Sequence, residues 1–412
     1  MRLLGAMHEL PKPWLWLLGI GIFVQMSGEL FNNDGSRHVT QMYLLLFLPA
    51  LILLAQQRFS LELWAQPAGW LFLALALWVV LIGMAHPGSQ GKAFYWLKIS
   101  LLLVFYVFAV ASLARHPRAF LWMILAAILV AAFFAWLTLA YQFFVLDKPF
   151  TYKYLRNAGR LFKLGWNDFA DLKHPVLAGL YFGIFAVLSL AIFVGRNLRF
   201  WQALGLLAML GGLLLYVLLS FSRGAWFATC AGGLAILLMC RNRKSAFMLV
   251  TGVVALLVAA VVFWAELQYE QARGLTYRDQ IWLEWLRRLP EFWLWGEGAG
   301  SRFLFRFSHG SVNHAHSLYL QFWYEYGVVG FALLSALIVA VLWKGWQCRD
   351  QFLAKAALAM MAFVVVGMVS DISSLFKQPN IFWTMFWLPV GILLGIRRPG
   401  EVAAAEGSPA VG

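Results

Sequence analysis

Charge is scarce in this 412-residue chain: Asp, Glu, Lys and Arg make up 12% of it, about half the share of an ordinary soluble domain. A surface so poor in charge does not suit a protein bathed in water. Cysteine is also rare. Cys230, Cys240 and Cys348 have no metal-site spacing, so neither a disulfide scaffold nor a cysteine zinc site is supported. The chain has no H-E-x-x-H pair and no glycine-rich phosphate loop, which removes support for zinc hydrolysis and nucleotide hydrolysis. Acidic residues are few as well, 18 Asp and Glu against 32 Lys and Arg, for a formal net charge of +14.

What the chain has is apolar surface, 62% of its residues. Runs near the ~20 residues that cross a bilayer recur throughout, so an all-α polytopic membrane protein is expected rather than a β-barrel. About twelve transmembrane helices are predicted, with cores at 14–27, 42–56, 69–85, 94–114, 119–145, 175–194, 202–221, 224–240, 246–265, 316–343, 353–370 and 381–396. The first follows Arg2 and Lys12 without a clear small-residue cleavage site and reads as a retained span. Alternate connections hold the positive charge: Arg115 and Arg118, Arg196 and Arg199, 241–245, Lys344 and Arg349, Arg397 and Arg398. That bias predicts both termini in the cytoplasm. It also assigns the net charge to orientation and membrane lipid, with no nucleic acid partner.

The chain reads as a single integral membrane domain, 1–412, with two long connections on the far side and a small polar tail, 400–412, expected to be a disordered cytoplasmic end. The smaller loop, 146–174, carries six Lys and Arg against three Asp, on the side where positive charge is disfavoured. The larger, 266–315, is rich in tryptophan and arginine. Long loops in compact proteins tend to be functional. Within the larger one, Tyr277 to Leu289 has helical periodicity. Trp282, Trp285, Leu286 and Leu289 share a face, Arg278 lies one turn earlier, and Pro290 is expected to end the run. Such an amphipathic helix suits the membrane interface and would hold Arg278 at phosphate depth.

Chemistry-bearing residues gather on that same side. In "SVNHAHSLYLQFWYEYGVVG", positions Leu320, Trp323, Gly327 and Gly330 fall within roughly 40° of His316 on one helical stripe. Gly327 and Gly330 would let another helix approach closely and fix His316. His314 precedes the helix. Glu325 lies on the opposite face. A lone histidine there is either a loop residue bonded to backbone or a base near neutral pH. Arg223, in "SFSRGAW", lies between two apolar spans; it either snorkels to headgroups or marks a functional site. Two arginines and a histidine on one membrane face suit phosphate-ester chemistry, or glycosyl transfer from a lipid phosphate, because guanidinium forks bind phosphate oxygens bidentately. Glu29 and Asp34, read as the carboxylates of the first outer loop, could hold a cation, though a solvated loop is the plainer reading.

These motifs resemble the O-antigen ligase and O-antigen polymerase superfamily. "HSLYLQFWYEYGVVG" fits its histidine–glycine signature from His316 and Ser317 through Gly327 to Gly330. "SFSRGAW" is similar to its Ser-Arg-Gly turn. "YRDQIW" with "WLWGEGAGSRF" resembles its large periplasmic loop, and "HPVLAGLYFG" from His174 resembles a weaker element. The resemblance runs from about residue 160 to the end. It implies a GT-C-like glycosyltransferase of the bacterial inner membrane with a periplasmic active site, inverting, and needing no metal or other cofactor. His316 would serve the acceptor hydroxyl, and Arg223 and Arg278 would bind the donor diphosphate. His314, Arg160 and His174 are the supporting candidates. The implied partners are an undecaprenyl-diphosphate-linked O-antigen as donor, lipid A–core oligosaccharide as acceptor, and membrane lipids. The ligase is favoured over a polymerase that extends the lipid-linked glycan. A protein oligosaccharyltransferase lacks its usual soluble region here. A flippase should place ionisable residues near the bilayer midplane instead.

Overall fold

A computed structural model describes residues 12–32, 34–56, 61–307, 310–370, 372 and 374–398. The expected tail at 400–412 and the N-terminal Arg2 lie outside the described residues. Uninterrupted apolar sequence folds as helix after helix, since backbone groups in a bilayer need partners within their own segment. In chain order these are α1 (Lys12–Phe31), α2 (Gly35–Met42) running through a π-helical turn into α3 (Leu48–Gln56), α4 (Pro67–Ala85), α5 (Ala93–Ala114) and α6 (Pro117–Ala140). There follow α7 (Tyr152–Asn157), α8 (Pro175–Gly195), α9 (Phe200–Leu219), α10 (Arg223–Cys240), α11 (Arg243–Val262) and α12 (Trp264–Ala272). The last are α13 (Arg278–Phe292), α14 (Leu318–Gln347), α15 (Phe352–Gly367) and α16 (Leu388–Gly395). Pro67, Pro117 and Pro175 open α4, α6 and α8 at positions where a missing N–H is harmless.

Among the described residues, ten helices are long and apolar enough to cross a membrane, and two shorter apolar ones, Phe352–Gly367 and Trp383–Gly395, complete the expected dozen. The division between α9 and α10 falls at Arg223, as expected, with the Ser222 hydroxyl capping α10. The up-and-down order brings the described residues of 32–34, 86–92, 146–174, 220–222, 263–317 and 368–382 to one end of the bundle, here called the loop end. Hydrogen bonds among these segments and the helix ends beside them bear this out: Ala170 to Leu30, Gln90 to Ala299, and Leu318 to Met368. Helix α8 is almost wholly buried inside the bundle, whereas α11 lies on its rim.

Several boundaries differ from the expectation. Helix α1 continues to Phe31, so Glu29 belongs to a helix and not to the first outer loop. Helix α11 stops at Val262, and the large loop begins with α12 almost at once. Lys344, expected in a basic connection, is buried near the end of α14, where its ammonium donates to Gln66 Oε1 at 2.6 Å and to the Leu394 carbonyl at 2.8 Å. A small antiparallel ribbon, β1 (Phe305–Phe307) with β2 (Gly310–Val312), adds the only strands among the described residues of the large loop.

Helix α13 packs on protein through part of its apolar face. Its buried residues are Ile281, Trp285 and Phe292, while Leu286 faces outward. The indoles of Trp282 and Trp285 donate to the carbonyls of Ala315 and Leu320 at 3.1 and 3.0 Å, so the helix is stapled to the start of α14. The helix also runs past Pro290 to Phe292, because a proline within the last turn removes only one bond.

The glycine stripe is the largest departure. Helix α14 begins at Leu318, after His316, and it breaks at Gly327, whose φ of 65° and ψ of −174° are open essentially to glycine alone. The break is filled by the large loop. Glu297 N–H donates to Tyr324 O at 2.7 Å, Val328 N–H donates to Trp293 O at 2.8 Å, and the Trp78 indole donates to Tyr326 O at 3.0 Å. A Cβ on Gly327 would overlap the Leu294 carbonyl, and one on Gly296 would press into the backbone of Glu325 and Gly327. Gly330 meets the Trp78 indole and the Tyr326 side chain. The glycines therefore dock a loop and a tryptophan; they do not form a continuous helical face beneath His316.

Candidate functional site

The segment 314–317 is held at both ends and in the middle. His316 has φ 50°, a left-handed conformation that is uncommon for a side-chain-bearing residue. Its N–H donates to His314 Nδ1 at 3.1 Å. Ala315 N–H donates to Gln321 Oε1 at 3.1 Å, Ala315 O accepts from Trp282, and Leu318 N–H donates to Met368 O at 2.8 Å. Gln321 is fixed in turn, donating to Ser301 O at 3.0 Å and to Glu325 Oε1 at 2.8 Å, while Glu325 Oε2 accepts from Gly300 N–H at 2.9 Å. Strained residues persist where the surroundings over-determine them, and such places cluster at functional sites. The two imidazole centroids stand 3.9 Å apart.

Both histidines are half-buried and surrounded by positive charge. Burial, then the nearby His314, Arg278 and His174, pushes His316 down to about 4. Burial, then Lys377, Arg278 and His174, also lowers His314. His174, Arg278, His314 and His316 thus lie near one another at the loop end. His174 itself caps α8, its Nδ1 accepting from Val176 N–H.

Arg223 and Arg278 share an unusual position: each is the first residue of its helix, α10 and α13. A helix N-terminus carries positive partial charge, and cations are normally favoured at the other end. Two arginines placed there add to that potential and make these turns attractive to anions. Arg223 donates to Glu270 O at 3.3 Å and to the Thr276 hydroxyl at 2.8 Å, so it grips the end of α12 and the turn leading into Arg278. Arg278 donates to Ser370 O and Leu275 O, each at 3.4 Å.

Arg160 braces the same turn from the smaller loop. Its guanidinium donates to Ser220 O at 2.9 Å and Phe221 O at 3.1 Å, just ahead of Arg223. Glu270 joins the two long loops. It pairs with Arg156 of α7 and with Arg273 at 3.6 Å, and accepts from the Tyr152 hydroxyl at 3.0 Å. The positive excess of the smaller loop is therefore partly spent on the large loop.

Beside His314 lies a cavity of about 750 Å³. Its wall combines the start of α5, including Lys92, Tyr95 and Lys98, with Arg302, His314 and Lys377. Neither Arg223 nor Arg278 lines it. Among the described residues no group of three or more His, Cys, Asp and Glu could hold a metal ion. Asp34 is engaged elsewhere, capping α2 through Ser36 and Arg37 amides and pairing with the Arg37 guanidinium at 3.3 Å.

Residues 208–335, from within α9 to within α14, match the family model described as "O-Antigen ligase". The match covers about a third of the chain. That stretch contains Arg223, Arg278, His314, His316, Gly327 and Gly330, and leaves Arg160, His174 and Lys377 outside it. A curated O-antigen ligase of Pseudomonas aeruginosa is 24% identical to the chain over 241 residues, 58% of the length of each. The alignment thus spans under two thirds of that relative.

Sequence reasoning passed over Lys377, Arg302 and Gln321, and set Glu325 aside. Lys377 carried the signal that singled out Arg223, a cation in a short connection on the loop side, but stood next to no recognised motif. Glu325 does lie off the line from His316 along a straight helix. It reaches the histidine segment through Gln321 instead.

Proposed function

We propose that this protein is an O-antigen ligase, transferring a glycan from undecaprenyl diphosphate to lipid A–core oligosaccharide at the periplasmic face of the bacterial inner membrane. The observation that carries this reading is the convergence of Arg278, His174 and the two histidines at the loop end, inside and beside the stretch that matches the ligase family model. In this mechanism the donor diphosphate lies against Arg278 and Arg223. The acceptor hydroxyl attacks the anomeric carbon from the opposite side, the bond from that carbon to the diphosphate oxygen breaks, and undecaprenyl diphosphate leaves with the electron pair. His316 takes the hydroxyl proton. The arginines stabilise charge that grows on the departing oxygens, a role that fixed cations fill without reorganisation.

The positive surroundings of His316 tie its basicity to the donor. With the site empty, the imidazole is neutral above about pH 4 and is a weak base. A bound diphosphate offsets the charge of Arg278 and raises the imidazole toward the operating pH, where a general base works best. The free-enzyme profile, kcat/KM for the donor, is therefore expected to fall only as pH drops through about 4. The kcat profile, which reports the complex, should lose activity at a distinctly higher pH. Coincident acid limbs near the usual histidine value would remove this coupling.

Arg223→Lys and Arg278→Lys are each expected to raise KM for the donor about tenfold or more, since an ammonium cannot replace a bidentate fork. Titration with undecaprenyl-diphosphate glycan at fixed acceptor measures it. Unchanged donor use in both variants would put the diphosphate elsewhere. The overall reading is tested by reconstitution with lipid-linked glycan, with and without lipid A–core. Product that requires core supports a ligase; a longer lipid-linked glycan made without core would mark a polymerase.

A further inference from the structure

We propose that the cavity beside His314 is the subsite for a phosphorylated sugar of the acceptor; this rests on the ligase reading above. Its volume, about 750 Å³, falls within the usual range of small-ligand pockets, roughly 300–1,000 Å³. Its charge is one-sided. Lys92, Lys98, Arg302 and Lys377 face the same space, and Glu325 is the one carboxylate among the described residues of the wall. Both Glu325 oxygens already accept hydrogen bonds, from Gly300 and Gln321. None of the four cations has an ion-pair partner among the described residues. Like charges around a concave, low-dielectric space reinforce one another and draw in an anion.

The kind of cation is informative. The arginines at the helix N-termini offer planar forks, whereas three of the four cations here are lysines, compact charges suited to single phosphate groups. The rest of the lining suits a sugar. Phe94, Tyr95 and Phe376 present flat aromatic faces, and Gln90, Asn313 and Ser374 offer hydrogen-bonding groups for hydroxyls. His314 forms part of the wall with its ring 3.9 Å from that of His316, so a sugar seated here lies next to the proposed base. The division of labour is spatial: the acceptor approaches through the lysine-lined cavity, and the diphosphate is held by arginines that do not line it.

The test is direct binding of core oligosaccharide, released from lipid A–core, to the purified full-length protein, before and after phosphatase treatment. Removing the phosphates is expected to weaken binding about tenfold or more, as loss of charged hydrogen bonds does. Lys98→Gln and Lys377→Gln should each weaken phosphorylated core to a similar degree, leave dephosphorylated core and undecaprenyl-diphosphate glycan unaffected, and melt like the parent protein. Lys98→Arg should restore binding. Equal affinity for the two forms of core would overturn the proposal, as would lysine variants that lose the lipid-linked donor instead. A protein that binds phosphorylated core through these lysines yet never transfers glycan would refute the ligase reading and leave the subsite standing. One that ligates while indifferent to the phosphates would do the reverse.

Discussion

His316→Ala is expected to lower the rate of glycan transfer by roughly a hundredfold to ten-thousandfold, the usual worth of a positioned general base, while the protein remains inserted and folded. Alanine is less tolerant of the left-handed backbone at this position, so His316→Asn is the cleaner companion. Asparagine accepts positive φ readily and keeps a polar side chain without a basic nitrogen near neutral pH. Both variants should bind lipid-linked donor and core oligosaccharide normally and fail in transfer. His314→Ala should be milder on chemistry but should loosen the segment, because it removes the acceptor for the His316 N–H. A His316→Asn protein with full transfer activity would exclude the base assignment. Loss of donor binding in that variant would show that the imidazole serves the diphosphate.

Gly327→Ala is expected to be the most damaging change away from the proposed chemistry. The residue occupies a backbone region essentially closed to other amino acids, a strain of roughly 1–3 kcal/mol. Its new methyl group would also drive against the Leu294 carbonyl. The bonds that fill the helix break, Glu297 to Tyr324 and Val328 to Trp293, would go with it. Together these predict a loss of roughly 2–4 kcal/mol and undocking of the Gly296–Gly300 turn. That turn fixes Glu325, Gln321 and, through them, the peptide before His316. Limited proteolysis of the large loop and thermal melting measure the effect; parental protection and melting would remove the docking role. Gly330→Ala should be less severe, since it keeps a helical backbone and meets chiefly side chains.

The contrast between these glycines shows where the sequence was readable. Hydropathy set the number of spans, and the alternation of basic connections sorted the loops, because both follow from transfer of single residues into lipid. Arg223 and His316 stood out for the same reason, each polar where an apolar run meets a connection, and Arg278 through the helical periodicity of the loop segment that it opens. The stripe from His316 to Gly330 failed because periodicity assumes an unbroken helix, and the bonds that replace the helical ones at Gly327 come from residues about thirty positions upstream. The tryptophan face of α13 was recognised as apolar but assigned to lipid. Hydropathy does not say whether such a face meets lipid or protein; here two indoles found carbonyls, one at Ala315 just before α14 and one at Leu320 on it. The cavity was invisible for a related reason, since its lysines come from segments hundreds of residues apart.

The Glu270 clasp sets an order on the birth of this protein. Arg156 and Tyr152 leave the ribosome more than a hundred residues before the carboxylate that will hold them. Arg160 likewise waits for Ser220 and Phe221. The smaller loop therefore finds its last partners only when the second half of the chain has been inserted. A truncated or stalled chain carries that loop without the partners that Arg156 and Arg160 have here, so the smaller loop is expected to settle late.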